Sequence, residues 1–261
     1  MNNLERKAHR GLTRTGSALA SLLMVVLSIS SSVAAEPALD SEADALLKKM
    51  SNYMAGLKAF TVDVHNTSEI VDTQGQKLNF SANGEVSVMR PNMLKAHRTD
   101  SNGETFAYYD GKNVTVYAKS ENFYAVAAAP GDFDQALDFL RDAIQIDLPG
   151  ADLLYNDIYA GMTWNLTSSS YVGLESIGGK MAHHLAFRTP EVDFQIWIQD
   201  GDQPLPLRYL ITSKWVTAAP QFGVSMSNWN LKPKLNAKMF EFKAPAGAQK
   251  VDFVTSLEVQ P

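Results

Sequence analysis

Residues 84–127 read GEVSVMRPNMLKAHRTDSNGETFAYYDGKNVTVYAKSENFYAVA, and apolar and polar residues alternate along most of this stretch. A period of two is typical of half-buried β-strands. The dipeptides Asn102-Gly103 and Asp110-Gly111 separate successive runs and suit tight hairpin turns, whose central residues need positive φ angles. The stretch therefore predicts a meander of antiparallel strands.

An arginine stands in line with one apolar row of this meander. Val86 and Val88 point to one face of their strand, and Arg90 has the same parity before Pro91 ends the strand. Arg90 is therefore either an inward-pointing side chain or a solvated strand end. An inward guanidinium offers five hydrogen-bond donors, so it can satisfy several carbonyl groups of a covering element at once.

Strands are predicted on both sides of a helical segment. The first run begins at Phe60 and ends before Pro130, and the second begins near Ser169. Together they predict an α+β, mainly β, domain with a single curved antiparallel sheet of about 10–12 strands, which accumulated twist bends into an incomplete barrel. The concave side of such a sheet needs an apolar cover.

The first predicted cover is an N-terminal helix at residues 41–58. Apolar residues recur there with helical spacing, and Ser41 is the predicted N-cap. A helix with one apolar side needs an apolar surface to lie on. We expect that surface to be the concave face of the sheet.

The second predicted cover is a helical insert at about residues 132–163. Asp132 and Gln135 resemble a capping box at its start. The insert lies between the two runs of strands, so it is predicted to close the concave side as a lid. Its first helix presents an apolar face that includes Phe133, Leu137 and Leu140.

The first 35 residues have the pattern of a secretory signal peptide. Several basic residues precede an apolar run at residues 18–27 that is too short to span a bilayer. Small residues at positions 33–35 then predict cleavage after Ala35, with an uncleaved membrane anchor as the alternative. Residues 36–261 are therefore predicted to form one periplasmic domain without a membrane span.

Charge and cysteine content limit the partners. Removal of residues 1–35 takes away four basic residues and one acidic residue, so the formal net charge changes from −5 to −8. This negative balance argues against a nucleic-acid partner. The chain has no cysteine, so it can form neither a disulfide framework nor a lipidated N-terminal cysteine.

Two segments resemble those of LolA-type lipoprotein carriers. MRPNMLKAH at residues 89–97, followed by a hairpin and FAYYDGKNVTVYAKSENFYAVA, resembles the carrier stretch in which an Arg-Pro strand end precedes an aspartate-glycine turn. MFEFKAPAGAQKV at residues 239–251 resembles their closing aromatic-x-aromatic segment. The resemblance implies the incomplete barrel of the LolA, LolB and RseB group. It also implies that Arg90 latches the lid through hydrogen bonds to helix carbonyls.

The overall pattern is most similar to a family of predicted bacterial periplasmic proteins of unknown function. The segments that carry this resemblance are ADALLKKMSNYMAGLKAF, DLPGADLLY and DFQIWIQDGDQPLPLRYLIT. The resemblance covers nearly all of residues 36–261.

The concave face is a candidate site for an apolar ligand. Burial of an acyl chain gains about 0.8 kcal/mol per methylene without directional partners. The alternative is that the same residues form an ordinary core without an open cavity. The candidate lining residues are Val86, Val88, Phe106, Tyr108, Val114, Val116, Phe133, Leu137, Leu140, Leu185, Phe187, Phe194 and Ile196.

Metal and catalytic motifs are not evident in the sequence. His183 and His184 are adjacent in a predicted strand, so their side chains leave on opposite faces and cannot chelate one ion together. The Gly-x-Ser-x-Gly, His-Glu-x-x-His and phosphate-loop motifs are absent. We therefore predict no metal site, no cofactor and no catalytic residue.

Three functions remain open on these observations. The leading hypothesis is a non-catalytic periplasmic carrier that holds a lipid, an acyl chain or a lipoprotein in the apolar concavity. The second is an RseB-like envelope sensor that contacts an envelope or inner-membrane protein. The third is an enzyme that uses the concavity for chemistry.

Overall fold

The computed structural model describes residues 38–129, 131–142 and 150–253. The predicted signal peptide and its cleavage after Ala35 lie outside the described residues and stay predictions. Within the described part of the chain, no helix is long and apolar enough to cross a membrane.

A single sheet of twelve strands forms the body of the molecule. Its spatial order is β12-β6-β5-β4-β3-β2-β1-β11-β10-β9-β8-β7, so the two runs of strands meet where β1 pairs with β11. The strands are β1 (Ala59–Val71), β2 (Lys77–Met89), β3 (Met93–Asp100), β4 (Gly103–Tyr109), β5 (Asn113–Ala118), β6 (Phe123–Ala128), β7 (Ser168–Ile177), β8 (Lys180–Arg188), β9 (Val192–Gln199), β10 (Pro206–Ser213), β11 (Gln221–Asn230) and β12 (Gln249–Val251).

The predicted fold class is confirmed: the protein is mainly β, with one open, curved sheet that forms an incomplete barrel. The described helices are α1 (Ser41–Gly56), α2 (Phe133–Asp142) and α3 (Ile158–Thr163), and a 3-10 helix at Ala151–Leu154 lies between the last two. Strands β1 to β11 pair in antiparallel fashion, as the hairpin signals predict.

Both edges of the sheet are paired with short terminal segments. At one edge, β12 pairs in parallel with β6. At the other edge, Ala38 forms a parallel bridge with Ser168 of β7, and its carbonyl accepts a hydrogen bond from the Ser169 N–H at 3.1 Å. These pairings satisfy backbone groups that would otherwise face solvent.

The N-cap of helix α1 lies one residue before the position that the sequence predicts. Asp40, rather than Ser41, is the N-cap, because one of its carboxylate oxygens accepts hydrogen bonds from the N–H groups of Glu42 and Ala43. The other oxygen accepts from the Tyr171 N–H of β7 at 3.1 Å. These hydrogen bonds lower the pKa of Asp40, and the bond from Tyr171 contributes most to the shift. The cap therefore also joins the helix to the sheet.

The main core lies between α1 and the concave face of β7 to β9. Leu47, Met50 and Met54 of α1 are fully buried there, in the same cluster as Leu185 and Ile196. Burial of this apolar stripe supplies most of the stability of the helix, because tertiary packing rather than intrinsic propensity stabilises most helices in proteins.

The outer, convex face of β3 to β6 carries an aromatic cluster. Phe106 stacks on His97 at 4.4 Å, and the ring centroid of Phe242 lies 5.5 Å from those of both Tyr108 and Tyr117. Because Phe106 and Tyr108 alternate with the core residue Tyr109, they face away from the concavity. The prediction that Phe106 and Tyr108 line the concave side is therefore wrong.

The C-terminal segment covers this outer cluster. The sequence predicts a short strand at Phe240 and Phe242, but Phe240 ends a 3-10 helix (Ala237–Phe240) and is fully buried. Ser87 and Phe106, both on the outer face, line a cavity of about 160 Å³ with Met239 and Phe240. The segment therefore works as a strap across the convex face.

Truncation of the strap residue Phe240 tests this packing. We expect Phe240→Ala to lower the free energy of unfolding by about 3–5 kcal/mol, because a large buried aromatic side chain leaves a cavity. The neighbouring Met239 is 41% exposed, so Met239→Ala should cost less than about 1 kcal/mol. Urea unfolding of both variants measures the difference, and equal losses would contradict the proposed packing.

Candidate functional site

The helical insert is held in place by its own polar residues. The predicted capping box is present, since Asp132 and Gln135 exchange side-chain-to-backbone hydrogen bonds at 3.1 and 3.2 Å. Asp134 of α2 accepts a hydrogen bond from the Asn156 N–H at 2.8 Å, which fixes the segment that follows the 3-10 helix. The described parts of the insert, residues 131–142 and 150–163, are therefore held together by hydrogen bonds.

Most of the predicted lining residues lie in the packed core. Eight of them are buried together in one cluster with α1, so this part of the concave face is filled by side chains. These residues are Val88, Val114, Phe133, Leu140, Leu185, Phe187, Phe194 and Ile196. Val86 is partly buried against the same cluster, and Val116 pairs with Ala107 on the same face as Val114.

An open cavity of about 390 Å³ remains between the insert and the far end of the concave face. Leu137 of α2 is the predicted lining residue that reaches it. The remaining wall comes from the 3-10 helix and from the ends of β1, β9, β10 and β11. It is formed by Ser68, Glu69, Arg141, Ala151, Asp152, Tyr155, Val192, Ile211, Ser213, Pro220, Gln221 and Phe222.

Two of the cavity-lining residues that are not in the predicted set do have a signal in the sequence. Ile211 and Phe222 belong to apolar rows with a period of two and are cross-strand partners in β10 and β11. Their rows share the core face with Tyr209 and Val224. What parity does not reveal is that the described helices of the insert leave a cavity at this end of the sheet.

A polar network lies on the insert side of the cavity. Arg141 donates hydrogen bonds to Asp138 at 2.7 Å and to the Tyr155 hydroxyl at 2.9 Å, and that hydroxyl donates to Asp138 at 2.8 Å. Burial, together with the hydrogen bond to Asp138, raises the pKa of Tyr155 to about 12. The network therefore places charged and hydroxyl groups beside the apolar side chains of the wall, such as Leu137.

A second polar contact crosses from the insert to the sheet. The hydroxyl group of Tyr209 donates a hydrogen bond to Asp152 of the 3-10 helix at 3.4 Å. Tyr209 is almost completely buried, and this burial raises its pKa well above the ordinary value. The contact ties the insert to β10 at the inner end of the cavity.

Arg90 points inward against the insert. Its Nη1 donates to the backbone carbonyl of Leu154 at 3.1 Å and to the side-chain oxygen of Asn156 at 3.0 Å, and its guanidinium lies 5.5 Å from the Phe133 ring centroid. Its Nε and Nη2 are buried and have no hydrogen-bond partner among the described residues. Burial lowers the pKa of Arg90, whereas the Asp134 carboxylate opposes that shift. The solvated alternative does not describe this geometry, but a latching role stays a proposal.

The adjacent histidines separate to opposite faces of the sheet. His183 lies beside the Tyr171 hydroxyl and Asp200, whereas His184 stacks on Trp197 at 4.1 Å. In residues 38–129, 131–142 and 150–253, no group of three or more His, Cys, Asp or Glu residues could hold a metal ion.

A family model described as "predicted periplasmic protein" matches residues 43–254. This match confirms both the resemblance to predicted periplasmic proteins and the predicted periplasmic localisation. No curated protein is significantly similar to the chain in sequence.

Several solved structures are similar to the chain at low sequence identity. An uncharacterised conserved protein from Thermus thermophilus is 12% identical, with a TM-score of 0.50 over 81% of this chain and 99% of that protein. Lipoprotein LppX from Mycobacterium tuberculosis is 17% identical (TM-score 0.49; 76% and 100% covered). A LolA superfamily protein from Nitrosomonas europaea is 12% identical (TM-score 0.39; 77% and 97% covered). The Thermus similarity supports the fold alone.

The contact between Arg90 and the insert can be tested by amide hydrogen exchange. Arg90→Met keeps an aliphatic side chain beside Phe133 but removes the donors to Leu154 and Asn156. We expect exchange in residues 150–163 to become at least about tenfold faster, which corresponds to the loss of one charge-assisted hydrogen bond. Arg98→Met removes an exposed arginine and serves as the control. Unchanged protection in Arg90→Met would contradict the latch.

The Tyr155 network predicts a transition at high pH. Because the folded-state pKa is raised above the unfolded value of about 10, the stabilisation is complete below about pH 10. It is lost as the pH rises through about 12. The difference between phenolate absorbance titrations of the wild type and Tyr155→Phe should show one tyrosine ionising near pH 12. Ionisation near pH 10, as in a solvated tyrosine, would refute the network.

Proposed function

The chain belongs to the DUF2092 family of predicted periplasmic proteins, and we propose that it is a binding protein that carries an amphiphilic, acyl-bearing ligand. The observation that carries this proposal is the cavity of about 390 Å³ between the insert and the concave face. Its volume lies in the range of about 300–1,000 Å³ that is typical of small-molecule sites.

The cavity wall suits a ligand with an apolar tail and a polar head. Leu137, Ile211 and Phe222 supply apolar surface, and each buried methylene of a tail gains about 0.8 kcal/mol on such a surface. Arg141 and Tyr155 supply hydrogen-bonding groups to the same cavity. A head group can therefore be held beside the insert while the tail lies along the sheet.

The insert is suited to act as a movable lid. Its ties to the sheet include polar contacts, from Arg90 to Leu154 and from Tyr209 to Asp152, which water can replace when the insert moves. Displacement of the insert would extend the cavity toward the packed part of the concave face. The core there contains Met50, Met54 and Met226, whose unbranched side chains adapt to new shapes.

The proposed function consists of binding and release of the ligand, without a chemical reaction. The ligand is a lipid or the acyl group of an acylated protein, since both present the same hydrocarbon chain. The insert would open to admit the chain and close to keep it from water during transit through the periplasm.

Analysis of co-purified ligand tests this function. We expect lipid extracts of the protein purified from periplasm to contain an acyl-bearing molecule that mass spectrometry identifies. Ile211→Trp should fill the cavity and lower the ratio of ligand to protein at least about tenfold, equivalent to about 1.4 kcal/mol of lost affinity. Val172→Trp changes an exposed residue of β7 and serves as the control, with ligand unchanged.

Two outcomes would overturn the proposal that the protein is a carrier. One is a wild-type protein that contains no ligand under these conditions; the other is an Ile211→Trp variant that retains as much ligand as the control. A ligand-free protein that instead retains a stable envelope protein in pull-downs would favour the sensor.

A further inference from the structure

Six exposed apolar side chains lie on three segments that adjoin or contact the segments lining the cavity, and we call this surface the rim. The three segments are the β1–β2 hairpin, the end of α3 and the β10–β11 turn. The residues of the rim are Ile70, Leu78, Phe80, Trp164, Trp215 and Val216.

The hairpin side of the rim continues the wall of the cavity. Ser68 lines the cavity and pairs with Phe80, and the next pair along the same face is Ile70 with Leu78. Glu69 accepts a hydrogen bond from the Gln221 N–H at 2.9 Å, which fixes the hairpin to β11. An apolar path therefore runs from the cavity to the hairpin tip.

The tryptophan side of the rim flanks the same mouth. Ser213 and Pro220 line the cavity and enclose the turn that carries Trp215 and Val216. The indole N–H of Trp215 donates to the Pro190 carbonyl at 2.8 Å, so the ring itself needs no further polar partner. Trp215 is nevertheless 80% exposed.

The second tryptophan of the rim is Trp164. Its segment contacts the β8–β9 turn, which also contains Pro190. Trp164 is 84% exposed, and its neighbour Asn165 donates a hydrogen bond to the Glu191 carboxylate at 3.4 Å. The Lys214 N–H, next to Trp215, donates to the Glu191 carbonyl. The two exposed tryptophans therefore belong to segments that contact the same turn, at one end of the strands.

The β10–β11 turn is held in a conformation that alanine rarely adopts. Ala218 and Ala219 have φ angles of 64° and 44°, in the left-handed region. Strained backbone of this kind persists only where the surrounding structure determines it, and it concentrates at functional positions. The turn thus presents Trp215 and Val216 outward in a defined shape.

The basic side chains near the rim are paired with carboxylates. Lys77 contacts Glu69 at 3.0 Å, and Asp193 is shared by Arg188 at 3.0 Å and Lys214 at 3.5 Å. The rim therefore offers indole and aliphatic groups without a strong basic field, whereas binding to anionic lipid depends on unpaired lysine and arginine. Tryptophan is the residue that favours the boundary between acyl chains and head groups.

We propose that the rim is a docking surface for a bilayer of zwitterionic lipids. Its protruding turns insert their apolar side chains among the head groups and place the cavity mouth at the membrane surface. The acyl ligand can then pass between cavity and bilayer without crossing water. This surface extends the proposed function and rests on it for the cargo, but its test is separate.

Vesicle binding tests the rim directly. The protein purified from periplasm is mixed with phosphatidylethanolamine/phosphatidylcholine vesicles, and binding is followed by co-sedimentation and tryptophan fluorescence. We expect a blue-shifted emission that lipids with quenchers in their acyl chains reduce, because two of the four tryptophans lie in the rim. The double variant Trp215→Ser/Val216→Ser should bind at least about tenfold more weakly.

Val172→Ser/Leu174→Ser is the matched control. It removes two exposed apolar side chains from β7, toward the opposite end of the sheet from the β8–β9 turn. Thermal unfolding of both variants should stay close to that of the wild type, since all four side chains are exposed and Trp215→Ser removes only one surface hydrogen bond. Equal vesicle binding by rim and control variants would overturn the proposal, as would a wild-type protein that remains unbound.

The vesicle result and the ligand result are separable. A rim variant that binds vesicles weakly but retains its co-purified ligand supports the docking surface, because the cavity itself is unchanged. A wild-type protein that binds vesicles through the rim yet contains no ligand supports the docking surface while overturning the carrier. If the protein fails to bind vesicles but retains an envelope protein through the rim, the bilayer proposal is overturned and the rim is a docking surface for a protein.

Discussion

The need to cover one large apolar face governs this structure. Twelve strands in one curved sheet present a concave surface longer than the helices in the described residues can cover. Helix α1 packs on β7 to β9, and the insert covers the middle, where Arg90 and Tyr209 reach it. The far end of the sheet, at the start of β11 and the end of β1, is left with a cavity. The candidate site is thus the part of the concave face that the described helices leave uncovered.

Much of the fold could be predicted because its strongest signals are local. The period of two along the strands, the capping box of Asp132 and Gln135 and the inward parity of Arg90 are all properties of short segments. Errors arose where tertiary structure decides the outcome. Both faces of β4 carry aromatic residues, and only the strap from the C-terminal segment explains why Phe106 and Tyr108 face outward. Period-two spacing also predicts that Leu207 shares a face with Tyr209 and Ile211, but a bulge between Pro206 and Arg208 turns Leu207 to the outer face.

The site itself was less accessible from the sequence than the fold. Alternation identifies which residues share a face, but an open cavity depends on where the insert ends relative to the sheet. Leu137 was found because it belongs to the apolar face of α2. Arg141 and Tyr155 were missed because a charged residue and a tyrosine on a short insert are ordinarily solvated. Their pairing through Asp138 exists only in the folded insert.

The terminal pairings at the two sheet edges have a further consequence. An open sheet normally offers each edge strand to any extended peptide, including another copy of itself. Here β12 occupies the edge at β6, and Ala38 occupies the first backbone position of β7. A peptide that adds as a strand at the first residue of β7, or beside residues 123–125 of β6, must first displace one of these segments. Recognition by strand addition at these two positions would therefore compete with the chain's own pairing segments.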